Sequence, residues 1–91
     1  LTPEEQNDLP ETQVQRLIHL QKGEQARIVG LSPSCRGALR RRLLDLGFVR
    51  GSMVSIDMPS PLGNPIAYVV RGSAIALRHD QAKYVLVQRT N

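Results

Sequence analysis

Only one stretch of this 91-residue chain repeats its apolar residues at helical spacing, and everything beyond it repeats them at spacing two. Cys35, Leu39, Leu43 and Leu46 fall at steps of four, four and three, which is one continuous stripe along a helix. Ser32 or Ser34 can accept from the free N–H groups of the first turn, and Pro33 suits an opening helical position. Gly47 stands where the chain must turn left-handed, and Phe48 is the apolar residue that closes such a stop. The spacing predicts a helix over 32–47. Beyond Gly51-Ser52, Val54, Ile56 and Met58 alternate with polar residues, predicting a strand with one buried face. A proline-rich loop over 59–65 ends it. Ile66, Tyr68 and Val70 alternate again, Gly72-Ser73 reads as a two-residue hairpin turn, and Ile75 and Leu77 carry the return strand. His79–Ala82 reads as one tight turn and Tyr84–Gln88 as a last strand. Upstream, Leu17 and Leu20 can seat a single helical turn, Lys22-Gly23 marks a turn, and Gln25–Leu31 is the first strand. The expected fold is therefore mainly β. Five short strands with one α-helix inserted after the first would form a small closed or nearly closed barrel. Closure removes the edges that so short a sheet would otherwise expose.

Charge divides the chain in two. Residues 1–20 carry four carboxylates against Arg16, a net of −3, while the rest carries eleven Lys/Arg against four carboxylates, a net of +7. Residues 1–14, with Pro3 and Pro10, read as a flexible acidic leader, and 15–91 as the folded domain. The longest unbroken apolar run, Ile66 to Val70, is far below the ~20 residues of a spanning helix, so membrane insertion is not expected. One cysteine leaves no disulfide framework, which fits a reducing cytoplasm. With Phe48, Tyr68 and Tyr84 as its aromatics, the chain has little to stack bases on, so nucleic acid is a weak candidate partner.

No catalytic constellation is present. His19 and His79 are sixty residues apart, neither is spaced from Cys35 as in a zinc site, and no phosphate-cradling glycine motif occurs. Cys35 reads as a buried small hydrophobe, and His79-Asp80 as a solvated turn with Asp80 capping it. No metal, cofactor or small-molecule substrate is expected. The densest polar feature is Arg36, Arg40, Arg41, Arg42 and Arg50. By helical angle Arg40 and Arg41 lie opposite the leucine stripe, with Leu44 between them. Two readings stand. One is a solvated basic face with an exposed Arg41–Asp45 pair; the other is a docking face for an acidic partner, with Leu44 as its apolar anchor. Leu44 could equally be covered by Leu17 and Leu20. Leu62, apolar at the tip of the proline loop, is the other candidate contact. The partner-binding candidates are thus Arg40, Arg41, Leu44 and Leu62.

The run Arg42-Leu43-Leu44-Asp45-Leu46-Gly47-Phe48-Val49-Arg50-Gly51-Ser52-Met53-Val54 resembles the signature of the FeoA family, small cytosolic accessory proteins of bacterial ferrous-iron transport. The likeness continues through Pro61–Ile66, Val70-Arg71-Gly72, Ile75–Arg78, Ala82 and Val85–Val87, and upstream through Leu17–Glu24. It implies an SH3-like barrel and a non-enzymatic interaction module. The implied partner is a membrane-embedded FeoB transporter, engaged from the cytosol. The same barrel also occurs as the C-terminal domain of DtxR-type iron-dependent repressors, which is the alternative, with a basic nucleic-acid-binding barrel as a third. This chain lacks a strong family metal motif, so an iron site on the domain itself is not expected.

Overall fold

The computed structural model describes residues 14–58 and 61–90. Its strands are β1 (Val14–Arg16), β2 (Gln25–Leu31), β3 (Met53–Met58), β4 (Ile66–Val70), β5 (Ser73–Leu77) and β6 (Val85–Arg89). A 3-10 turn (Leu17–His19) follows β1, helix α1 (Gly37–Asp45) joins β2 to β3, and a single helical turn, α2 (His79–Ala82), joins β5 to β6. All strands belong to one antiparallel sheet in the order β1-β6-β2-β3-β4-β5. The 3-10 turn packs against α2, bringing the two ends of the sheet together without hydrogen bonds between β1 and β5.

The mainly β barrel with one inserted helix is as expected, but it has six strands and not five. The extra strand is β1, which pairs with β6 from Val14↔Gln88 to Arg16↔Leu86. Three residues carry no alternation of their own; only a partner seventy residues away makes them a strand. The rest of the predicted acidic leader, residues 1–13, lies outside the described residues.

The barrel interior is filled by the apolar side chains that the period-two pattern directs inward. Val54, Tyr68, Val70, Leu77, Val85 and Val87 are buried together with Leu17, Leu20, Ala26, Ile28, Leu43 and Phe48. Leu17 and Leu20 are therefore core, and do not cover Leu44. Strand β2 serves two neighbours, pairing with β3 through 25–27 and with β6 through 26–31. A bulge between Ile28 and Gly30 bends it so that it can do both.

Three local expectations are corrected. The helix begins at Gly37, not at 32. Ser32 and Ser34 bond each other at 2.9 Å and Ser32 also accepts the Ser34 N–H, so their hydroxyls close a local turn and leave α1 without a side-chain cap. Gly37, at φ +66°, then breaks any continuation from that turn. Cys35 is buried as expected, but from the turn. The hairpin turn is Arg71-Gly72, because Ser73 already pairs with Val70; both turn residues have positive φ, as a primed two-residue turn demands. Met58 is exposed, because a register shift between Ile56 and Met58 ends the alternation of β3.

Candidate functional site: an arginine-flanked leucine on the inserted helix

Helix α1 is attached to the barrel by a narrow strip. Leu43 is its one fully buried residue, with Leu39 and Leu46 half-buried beside it. Its C-terminal stop is rigidly built. The Phe48 N–H donates to the Leu43 carbonyl at 3.0 Å and the Gly47 N–H to the Leu44 carbonyl at 3.1 Å, the paired bonds of a left-handed helix stop. Gly47 holds φ +108°, and Phe48 is plugged into the core.

This attachment leaves the opposite side of α1 in solvent. Arg40 and Arg41 are exposed, and Leu44 between them is 36% exposed. With Gly37, Ala38, Arg42, Asp45 and Leu46 they line one open concavity along the helix. The expected Arg41–Asp45 pair is not formed. Among the described residues the ion pair is Glu24–Arg89, which ties the turn before β2 to the end of β6. The Gln21 N–H, and then Arg89, hold the Glu24 carboxyl below its ordinary range. The α1 arginines thus face outward without a carboxylate partner among the described residues.

Leu62 is 90% exposed, but it does not line that concavity. The stop of α1 lies by the β4–β5 turn, where a side chain on Gly47 would meet the Arg71 stem; Leu62 lies at the other end of β3 and β4. Its loop is anchored separately, by the His79 N–H donating to Asn64 Oδ1 at 3.0 Å. Arg40, Arg41 and Leu44 form one patch, and Leu62 stands apart from it. The α2 turn is closed by the Arg78 N–H donating to Gln81 Oε1 at 3.1 Å, so Gln81 and Asn64 do the work expected of Asp80.

Among the described residues no three His, Cys, Asp or Glu side chains converge as a metal site. No helix among them is long and apolar enough to cross a membrane. Sequence reasoning missed Met53 and Arg71, which line a shallow groove over β3 and β4 with Gln25, Ser55 and Val69. A signal for Arg71 was present: an Arg-Gly pair between two alternating runs is itself a two-residue turn.

Residues 15–89 match the FeoA domain family. The chain is 34% identical over 73 residues to the Fe(2+) transport protein A/Fe(2+) transporter FeoB fusion protein of Porphyromonas gingivalis. That match takes in 80% of this chain but only 8% of the fusion protein. Among solved structures, FeoA of Stenotrophomonas maltophilia, a procaryotic SH3 domain protein crystallised with zinc, superposes with a TM-score of 0.73 at 29% identity over 85% of this chain and 96% of that one. The FeoA protein of Chlorobium tepidum gives a TM-score of 0.76 at 31% identity over 85% of this chain and 71% of that one. With its SH3-like barrel and a family match over nearly its whole described length, this chain belongs to the FeoA domain family.

Proposed function

We propose that this domain is a non-enzymatic docking module that engages a FeoB-type ferrous iron transporter from the cytosolic side and modulates it. The observation that supports this most is the fusion protein, in which an FeoA-like segment shares one chain with FeoB. Fusing two modules raises their effective concentration, which helps only when the two have a contact to make. Where the modules are separate chains, surface alone must supply that contact.

The α1 face is the surface best suited to do so. Leu44 offers apolar area for affinity, while Arg40 and Arg41 set orientation and speed encounter with an acidic partner. Leu62 would be a second, separate point of contact. Because the helix is fixed by a complete C-terminal stop, docking here needs no folding step and little ordering cost. The test is co-purification of the domain with a FeoB transporter, with and without added nucleotide. Retention on the transporter is expected; elution of all the domain in the wash, under both conditions, contradicts the reading.

A further inference from the structure

Among the described residues the sheet ends on β5, and that edge is open. Beyond the reading above, and independently of which protein α1 engages, we infer that β5 is a second docking site, which takes an extended acidic segment of a partner protein as an added strand. Strand β5 pairs with β4 along its whole length, from Val70↔Ser73 to Ile66↔Leu77, and among the described residues with nothing on its other side. The two-residue turn makes Val70 and Ser73 a hydrogen-bonded pair, so in the antiparallel alternation Tyr68–Ile75 and Ile66–Leu77 are bonded pairs as well. The N–H and C=O groups of Ala74 and Ala76 therefore point outward. Both residues are exposed. Four backbone groups are left as a strand template.

Protected edges carry charge, proline or a bulge, or are very short. The opposite edge, β1, is three residues long and ends in Arg16. Strand β5 has five residues, Ser-Ala-Ile-Ala-Leu, with no charge, no proline and an unbroken register. Its outer side chains are methyl groups, which leave the edge sterically accessible.

The charges around the edge select the occupant. Arg71 and Arg78 bracket β5, both are exposed, and neither forms an ion pair among the described residues. Arg71 also holds φ +53°, in a turn position that glycine, asparagine or aspartate fill more easily. A second copy of this chain would bring the same two arginines to the seam, on a five-residue contact well short of the ~1,000 Å² of a stable interface. The Arg71 stem runs by Gly47, so Arg78 is the charge left to the edge: a segment of alternating apolar residues extends the half-buried Ile75 row, and a carboxylate at its end complements Arg78.

The test uses the isotope-labelled full chain, titrated with a synthetic peptide of alternating valine and threonine with aspartate at each end. The Ala74 and Ala76 amide resonances should move downfield as they gain acceptors, and their hydrogen exchange should slow roughly tenfold at saturation. The response should weaken at about 0.5 M salt. Ala76→Pro, which removes an outward N–H, should keep the melting temperature and lose the response. Should that variant unfold, the wild-type titration decides alone. No movement of these two amides by about 1 mM peptide overturns the inference. So does an equal response to a lysine-ended peptide, or movement with protein concentration alone, which would assign the edge to a second copy.

Discussion

Gly47 occupies a conformation that any residue with a Cβ resists, Tyr68 an environment that its own hydroxyl resists, and each predicts a measurable cost. Gly47 sits at φ +108°, and a Cβ there would stand 2.9 Å from the Arg71 Cδ. Gly37 is also left-handed, but a Cβ there would meet nothing within 4 Å. Gly47→Ala should therefore destabilise by about 2 kcal/mol and Gly37→Ala by about 1 kcal/mol, measured by chemical denaturation. Equal costs would mean that the Arg71 stem simply moves aside. Tyr68 is fully buried, and its hydroxyl has no hydrogen-bond partner among the described residues. Burial pushes its pKa from 10.0 up to about 12. The unfolded chain thus loses this proton first as pH rises. Stability should be unaffected by Tyr68 below pH 10 and fall between pH 10 and 12, by at most about 3 kcal/mol. Tyr68→Phe should remove that part of the fall and cost nothing at neutral pH, since it deletes an unpaired buried hydroxyl. A loss above about 1 kcal/mol at pH 7 would show that the hydroxyl does have a partner.

At the scale of elements, what the sequence disclosed and what it hid follow from the range of the forces involved. The stop of α1 was legible because Gly47 and Phe48 are local signals acting on adjacent carbonyls. Its start was not, because the Ser32–Ser34 hydroxyl contact competes with helical capping at the same residues. Strand β1 is defined only by its pairing with β6, and Met58 turns outward only through a bulge opposite β4. Neither leaves a mark on the local pattern. The direction of the α1 face was legible, since helical angle alone sets Arg40, Arg41 and Leu44 against Leu43; that Leu17 and Leu20 leave Leu44 uncovered, and that Leu62 stands apart, needed the packing and the sheet register. The two neighbouring leucines give the sharpest contrast. Leu43→Ala should cost ~2–5 kcal/mol, because Leu43 fastens the helix to the core. Substitutions of Arg40 and Arg41 should stay within about 0.5 kcal/mol. If Leu43→Ala is as mild as those, the helix is held by something other than its stripe.

Taken whole, the described residues form one core from which the basic face of α1 and the edge of β5 both face outward. Their positions differ, so their roles can be separated. Arg40→Glu with Arg41→Glu should weaken transporter association and leave the β5 amide response to the acidic peptide in place, whereas Ala76→Pro should do the reverse. The central claim is that α1 presents Leu44 to a partner and does not keep it for the fold. Its most direct test is Leu44→Ser, measured in parallel for FeoB binding and for thermal unfolding. The account predicts that binding falls at least about tenfold, the loss of some 1.4 kcal/mol of contact, while the melting temperature is unchanged. Wild-type binding, or a melting temperature lowered as far as in Leu43→Ala, would contradict it.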